Sequence, residues 1–178
     1  MTTALRVHSL VEVPPPEPAP PAPARVLTIP EVMALAIDIW SAVRGIMGDD
    51  LAKPEMFFES VANKQTVVIE FGDHAGYIWV YQLVPGDSAA IGFAFSGDWR
   101  GFTKTHGDAR AAQRTVIGWI MDSFELHKIR AFIARNNGKA YRMAERLGFV
   151  REGCLRREYQ KGGRRIDLYA YGLLREEI

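Results

Sequence analysis

Cysteine and long apolar runs are the scarcest features of this sequence. Cys154 is the only cysteine among the 178 residues, so no disulfide can form within the chain, which suits a reducing compartment. No apolar run approaches the ~20 residues that a transmembrane helix requires. The N-terminus also lacks the basic and then apolar regions of a signal peptide. We therefore predict a cytoplasmic protein without a membrane span, in which Cys154 is a buried strand residue rather than a nucleophile.

A strong net charge is also missing, because 22 Lys/Arg and 21 Asp/Glu residues leave a formal charge of only +1. Such a balance disfavours a nucleic-acid-binding role. The charge is nevertheless uneven: residues 128–178 carry 13 basic against 6 acidic side chains, and the rest of the chain carries 9 against 15. This asymmetry indicates an anionic ligand near the C-terminal part and suggests a cationic one near the other part.

Proline is concentrated in one place, since seven of the ten prolines lie between Pro14 and Pro23. Such a segment is polyproline-like and cannot join a helix or the interior of a sheet. We predict a semi-rigid strap over residues 14–25, preceded by a first strand within residues 1–13 and followed by the remainder of the fold over residues 26–178. At this length the whole chain is expected to form one domain.

The other segments alternate between strand and helix patterns. Thr28 and Glu31 have the spacing of a capping box, with Pro30 in the first turn of the helix. Gly162 and Gly163 indicate a tight hairpin between the last two strands. The predicted elements are, in order, a strand over 4–13, helices over 28–48 and 54–63, strands over 66–71, 77–84 and 89–96, a helix over 109–126, a strand over 128–135, a short helix, and strands over 149–160 and 164–174.

That short helix lies in the stretch NNGKAYRMAERLGFVREG, residues 136–153. Asn136 or Asn137 can supply its N-cap. Gly148 can end it in the left-handed conformation, with Phe149 packing back on the last turn. One apolar stripe runs along the helix at positions i, i+3, i+4 and i+7, formed by Ala140, Met143, Ala144 and Leu147.

This order of elements resembles the GCN5-related N-acetyltransferase (GNAT) superfamily, and residues 126–174 resemble its RimJ/RimL-type branch, which acetylates the N-terminal alanine of ribosomal proteins. The resemblance implies an α/β (mixed α+β) fold with a mostly antiparallel twisted sheet of about seven strands, helices on both faces and a V-shaped cofactor cleft between strands 4 and 5. It also implies an acetyltransferase with acetyl-CoA as co-substrate and no metal. The matching residues are Asn137, Ala140, Leu147-Gly148-Phe149, Glu152-Gly153 and Arg165-x-Asp167.

The resemblance places the pyrophosphate of acetyl-CoA at the loop before the helix over 109–126. Unpartnered amides and the dipole at a helix N-terminus favour a phosphate there. The family signature, Arg/Gln-x-x-Gly-x-Gly/Ala, aligns in three ways: with Lys104 in the first place, with Thr105 and Gly107 at the glycine places, or with Trp99-Arg100-Gly101 at the start and an insertion after it. The expected phosphate-binding residues are Arg100, Lys104, Thr105, His106, Gly107, Asp108, Ala109 and Arg110.

The pantetheine arm of acetyl-CoA lies in the V of the family fold and bonds to the backbone like an added strand. The matching backbone is that of Phe93, Ala94 and Phe95, with Asn137 across the gap. Two alternatives stay open. Asn137 can be a simple N-cap, and Asp108 can cap a loop that binds no ligand, because its charge opposes a phosphate placed beside it.

Acetyl transfer to an amine requires a base that accepts the proton of the amine. The fourth strand, AAIGFAFS, carries no acidic residue, so a glutamate on that strand is excluded. The resemblance to the RimJ/RimL-type hairpin instead implies that Glu158 is the base. The alternative is that Glu158 is an exposed hairpin carboxylate paired with Arg156 or Arg157.

The departing thiolate also requires a proton. Family members often carry a Tyr or a Ser as its donor, but this chain has Ala144 and Ala140 at those places. Tyr141 is expected to point elsewhere on the helix. Tyr159, Tyr169 or a water molecule are therefore the remaining candidates for this role.

The leading hypothesis is an acetyl-CoA-dependent N-acetyltransferase whose acceptor is a primary amine, either a protein N-terminus or a small molecule. A second copy of the chain, in a homodimer, is the other expected partner. The rival hypothesis is a GNAT-fold protein without turnover that binds a partner protein. The missing Tyr and Ser and the proline strap favour the rival, and the matching C-terminal motifs and the charge asymmetry favour the enzyme.

Overall fold

The computed structural model describes residues 21, 24–34, 40–41, 53, 66–71, 76–95 and 108–178. Seven strands and three helices lie within these residues, and a short 3-10 turn, Arg175–Glu177, follows the last strand. The strands are β1 Ala24–Leu27, β2 Val67–Phe71, β3 Gly76–Val84, β4 Ser88–Phe95, β5 Lys128–Ala134, β6 Val150–Lys161 and β7 Arg164–Leu174. The helices are α1 Ile29–Ala34, α2 Ala109–Ser123 and α3 Gly138–Leu147.

The strands form one sheet in the order β1-β2-β3-β4-β5-β7-β6. Only the β4–β5 pair is parallel, because α2 connects these two strands, and the other five pairs are antiparallel. The predicted fold class, a mostly antiparallel sheet of about seven strands, is therefore confirmed.

The two central strands separate after a short paired segment. Their register runs only from Ser88 with Lys128 to Ala90 with Arg130. Beyond those residues β4 remains paired with β3, and β5 remains paired with β7. The edges of β4 and β5 that face each other therefore open into a V, as the sequence resemblance predicted.

One continuous hydrophobic core joins the sheet to α2 and α3. The apolar stripe of α2 faces the sheet, and the predicted stripe of α3 buries Ala144 and Leu147. Burial of this apolar surface is the main stabilising term of the fold. The largest fully buried side chains of this core include Tyr171, Ile69, Ile78, Ile117, Ile120, Met121, Leu126 and Ile129.

The opposite face of the sheet carries α1. Arg25 lies opposite Glu70 in the β1–β2 ladder, so both side chains project from the same face. The Arg25 guanidinium contacts the Glu70 carboxylate and the Glu31 carboxylate of α1, each with an N···O distance of 2.6 Å. Val32 of α1 is buried as well. Helices therefore cover both faces of the sheet, as predicted.

Several local predictions are confirmed. Gly148 is left-handed, with a φ of +100°, and the amides of Gly148 and Phe149 donate to carbonyls of the last turn of α3, which is a Schellman ending. Gly162 and Gly163 have φ values of +57° and +70°, and they form the tight turn between β6 and β7.

Other predictions are wrong or lie outside the described residues. The strand β1 was not predicted, because Ala24 and Arg25 were assigned to the end of the strap. Cys154 lies on a strand as predicted, but it is exposed rather than buried, because β6 is an edge strand of the described sheet and β7 is its one neighbour there. The predicted strand over 4–13, most of the strap and the helix over 54–63 lie outside the described residues. Within the described residues, no helix is long and apolar enough to cross a membrane.

The predicted capping box at the start of α1 is present and has a consequence for acid stability. The Glu31 carboxylate accepts from the backbone amide and from the hydroxyl of Thr28, both at 2.8 Å. These bonds, and the one from Arg25, lower the pKa of Glu31 from its ordinary 4.5 to about 2. A lowered pKa in the folded state contributes stability above the ordinary pKa, and this contribution is lost as pH falls toward 2.

We therefore expect Glu31→Gln to destabilise the protein at pH 7, and we expect the deficit to shrink as pH falls from 5 toward 2. Glutamine keeps the capping geometry and removes the charge. Urea unfolding of both proteins across this pH range measures the difference in free energy. A deficit that is the same at pH 7 and pH 3 would contradict the assignment. Glu176→Gln, an exposed residue of the C-terminal 3-10 turn, is the matched control.

Candidate active site

The predicted pantetheine-binding residues lie in the part of β4 that separates from β5. Phe93, Ala94 and Phe95 belong to β4 beyond the last β4–β5 pair. Ala94 is buried, and the rings of Phe93 and Phe95 stack with their centroids 6.2 Å apart. An extended ligand that binds beside such a strand can bond to its backbone in the manner of an added strand.

The predicted phosphate loop is described only at its end. Arg100, Lys104, Thr105, His106 and Gly107 lie outside the described residues, so their roles stay predictions. The Asp108 carboxylate accepts from the backbone amide of Arg110 at 2.9 Å and is the N-cap of α2. Ala109 and Arg110 form the first turn of that helix. The described part of this loop thus has the capped geometry that the ligand-free alternative predicted.

A basic pocket of about 340 Å³ lies between the start of α2 and one side of α3. Among the described residues, four cationic side chains and no acidic one line it, so this lining favours an anion. Because residues from the first turns of both helices reach it, the pocket extends to the end of the sheet at which the V opens. Its lining residues are Ala109, Arg110, Gln113, Lys139, Arg142, Met143, Arg146 and Leu147.

Arg110 was predicted to bind the cofactor, but the three cationic residues of α3 were not. Lys139, Arg142 and Arg146 recur at i, i+3 and i+7, which places them on one side of the helix. That spacing is visible in the sequence. Their meeting with Arg110 is not, because it depends on how α2 and α3 pack against each other.

Asn137 is the N-cap of α3, whereas the sequence left Asn136 as an equal candidate. The Asn137 side-chain oxygen accepts from the Ala140 amide at 3.2 Å. The cap uses the oxygen only. The side-chain NH₂ group of Asn137 is therefore the group that can donate to a ligand at the far wall of the cleft.

Substitutions at Asn137 separate these two functions. Asn137→Asp keeps an oxygen acceptor for the cap but removes the NH₂ donor, so we expect weaker acetyl-CoA binding at unchanged stability. Asn137→Ala is expected to lower the free energy of unfolding by about 1 kcal/mol as well. Calorimetric titration and urea unfolding measure the two effects, and Asn136→Ala is the matched control. Unchanged affinity in Asn137→Asp would leave Asn137 a structural residue only.

Glu158, the predicted base, lies in β6 near the end of the sheet at which β5 ends. Both strands pair with β7 there: Ala134, the last residue of β5, pairs with Leu168, and Tyr159 of β6 pairs with Ile166. Its side chain is exposed, and it has no hydrogen bond or ion pair with another described residue. The predicted pairing with Arg156 or Arg157 is therefore not present in the described part of the chain.

The tyrosines near α3 differ in their contacts. A Cβ built on Gly138 would lie 3.4 Å from the Tyr141 hydroxyl, so this hydroxyl points toward the start of the helix. The Tyr141 ring packs edge-on against Tyr169, whose own ring lies under the Arg151 guanidinium. Tyr171 donates to Glu145 at 3.0 Å, and burial raises the pKa of Tyr171 to about 12.

Comparisons with known proteins agree with this geometry. Residues 16–150 match the family model described as an acetyltransferase (GNAT) domain. An uncharacterised N-acetyltransferase of Bacillus subtilis, YnaD, is 28% identical over 102 residues, which are 57% of this chain and 58% of that protein. The chain thus matches less than two thirds of the length of this relative.

Two solved structures share the fold at low sequence identity. A spermidine N-acetyltransferase of Vibrio cholerae, SpeG, has a TM-score of 0.65 at 20% identity, covering 86% of this chain and 95% of its own. RimJ of Mycobacterium smegmatis, solved with CoA-disulfide, has a TM-score of 0.63 at 17% identity, covering 87% of this chain and 82% of its own. The chain belongs to the GNAT acetyltransferase domain family, whose co-substrate is acetyl-CoA. The predicted family and fold are confirmed.

Proposed function

We propose that this chain transfers the acetyl group of acetyl-CoA to the primary amine of an acceptor. The observation that carries the proposal is the separation of β4 and β5 after Ala90 and Arg130, which opens a cleft between the two strands that an extended ligand can enter. The basic pocket between α2 and α3 lies at the same end of the sheet and matches the phosphates of that ligand in charge.

Acetyl-CoA supplies an activated acetyl thioester, and the chain's own residues orient it and handle protons. Arg110, Lys139 and Arg146 hold the phosphates through charge-assisted hydrogen bonds. The backbone of Phe93 and Phe95 aligns the extended arm. Such orientation lowers the activation barrier of acetyl transfer because the reacting atoms are already held close together.

Glu158 accepts the proton that the attacking amine must lose, which is the base role that the sequence resemblance implies. A carboxylate in this role supplies general-base catalysis. For the thiolate, Tyr141 joins Tyr159, Tyr169 and a water molecule as a candidate proton donor, because its hydroxyl points toward the start of α3. Tyr171 is excluded from this role because its hydroxyl already donates to Glu145.

The acceptor we expect is the N-terminal α-amine of a peptide. Arg156 and Arg157 are exposed on the same strand as Glu158, and Arg164 and Arg165 are exposed on the strand beside it. A polycationic acceptor such as spermidine would be repelled by these arginines, whereas a peptide carries only one charge at its reacting end. The fold is similar both to a spermidine acetyltransferase and to a ribosomal-protein alanine acetyltransferase. The choice between the two acceptors therefore rests on the charges of the exposed residues around Glu158.

The rival function, binding of a partner protein without turnover, is favoured by the capping of α2 by Asp108 and by Ala140 and Ala144 at the proton-donor places. Incubation with acetyl-CoA and a panel of N-terminal peptides, spermidine and spermine, followed by mass spectrometry, distinguishes the two. We expect peptides to gain one acetyl group at the α-amine. Acetylation of spermidine alone would overturn the choice of acceptor. Binding of acetyl-CoA without any acetylated product would favour the rival.

A further inference from the structure

The β6–β7 ladder is interrupted at one place. Leu155 pairs with Leu168 and Tyr159 pairs with Ile166, so the three residues 156–158 lie opposite a single residue of β7, Asp167. Bulges of this kind bend a strand, re-aim its side chains and occur often beside active sites.

The bulge also contains an unusual backbone conformation. Arg157 has a φ of +57°, in the left-handed region that residues other than glycine rarely adopt. Such conformations persist only where the surroundings hold them in place, and they cluster at functional sites. The next residue along the strand is Glu158.

The Asp167 side chain supplies the contact that holds this conformation. One carboxylate oxygen accepts from the backbone amide of Arg157 at 2.9 Å, so it replaces the ladder partner that the bulge removes. The other oxygen accepts from the Arg135 guanidinium at 3.2 Å. The Asp167 carbonyl also accepts from the Arg135 amide at 2.9 Å.

Arg135 connects this contact to the cofactor cleft. It follows directly after Ala134, the last residue of β5, and β5 is one wall of the V. The contacts of Asp167 therefore link the end of that wall to the bulge that carries Glu158. Two strand spacings, roughly 10 Å, separate β6 from β5.

We infer that Asp167 is a positioning residue that fixes the 156–158 bulge against the end of β5 and thereby holds the Glu158 carboxylate at the open end of the cleft. The inference rests on the proposed function, in which Glu158 is the base. Asp167 touches neither acceptor nor acetyl-CoA in this arrangement, so its effect on catalysis passes through Glu158.

The test compares kcat and the KM for acetyl-CoA in Asp167→Ala, Asp167→Asn, Glu158→Gln and the double variant Glu158→Gln/Asp167→Ala. Misplacement of a reacting group by about 1 Å can cost about 10²-fold, so we expect Asp167→Ala to lower kcat by about 10- to 100-fold at a nearly constant KM. Asp167→Asn keeps an oxygen acceptor for the Arg157 amide and is expected to retain more of kcat.

The double variant gives the decisive result, because the effects of two substitutions on kcat do not add when the two residues act as a unit. If Asp167 acts through Glu158, adding Asp167→Ala to Glu158→Gln lowers kcat no further. Asp122→Ala, which removes the carboxylate of another exposed ion pair with Arg175, controls for a general loss of stability.

Three results would overturn the inference in distinguishable ways. A folded Asp167→Ala protein with wild-type kcat, beside a slow Glu158→Gln, refutes the positioning role and leaves the base intact. Losses that multiply in the double variant show that Asp167 acts independently of Glu158. A wild-type kcat in Glu158→Gln refutes the base, and the inference falls with it.

Discussion

Replacing Glu158 with glutamine is expected to lower kcat by about 10²- to 10⁴-fold, which is the usual contribution of a general base. Glutamine keeps the size and the hydrogen-bonding capacity of the side chain but cannot accept the proton of the amine. Acetyl-CoA affinity should stay nearly unchanged, because the basic pocket and the β4 edge lie apart from β6. Steady-state kinetics with an acetylated peptide as product measures the loss.

A second glutamate of the same strand provides the matched control. Glu152→Gln makes the same substitution at an exposed glutamate of β6 whose partner is Lys128, and it should leave kcat nearly unchanged. Near-normal turnover in Glu158→Gln would make a bound water the better candidate for the base.

Lys139→Glu is expected to raise the Kd for acetyl-CoA by about 10- to 100-fold, because a charge-assisted hydrogen bond to a phosphate contributes about 1.5–3 kcal/mol. Lys139 lies in the first turn of α3 and lines the basic pocket. An acidic residue in the first turn is favourable to the helix dipole, so the variant should melt no lower than the wild type. Weaker binding therefore cannot be attributed to unfolding.

The matched control for this variant is Arg164→Glu, which makes the same kind of charge reversal on the exposed β6–β7 hairpin, away from α3. Calorimetric titration at low and moderate salt measures both proteins, and the deficit of Lys139→Glu should diminish as salt screens the phosphates. Equal affinity in Lys139→Glu and Arg164→Glu would show that the pocket does not hold the phosphates.

The parts of the fold that sequence could predict are those encoded within a few neighbouring residues. The capping box at Thr28 and Glu31, the ending at Gly148 and the turn at Gly162 and Gly163 each depend on the local backbone, and the structure contains all three. Strand β1 was missed because it follows directly after the last prolines. Its four residues pair with β2, a long-range contact that no local pattern indicates.

The exposure of Cys154 likewise depends on long-range strand pairing that the local sequence does not indicate. Cysteine is among the most often buried residues, which is why a buried position was expected. The actual exposure depends on the place of β6 in the sheet. Among the described strands, β6 lies at one edge of the sheet with a neighbour on one side, and most of its residues are exposed.

The candidate site was also predictable only in part. The resemblance pointed to the β4 segment from Phe93 to Phe95 and to Asn137 as cofactor-binding residues, and these roles stay predictions. The structure places the segment beyond the last β4–β5 pair and Asn137 at the N-cap of α3, a position that the local sequence left open between Asn136 and Asn137. The basic pocket could not be predicted, because it requires Arg110 and Lys139 to meet across two helices.

Binding of acetyl-CoA to the wild-type protein tests the central claim most directly. A ligand at 100 times its Kd stabilises the folded state by about 2.7 kcal/mol, so a thermal melt with saturating acetyl-CoA should show a higher melting temperature. At the same concentration Lys139→Glu should show a smaller increase. An unchanged melting temperature of the wild type at millimolar acetyl-CoA, with no heat of binding by calorimetry, would contradict the account.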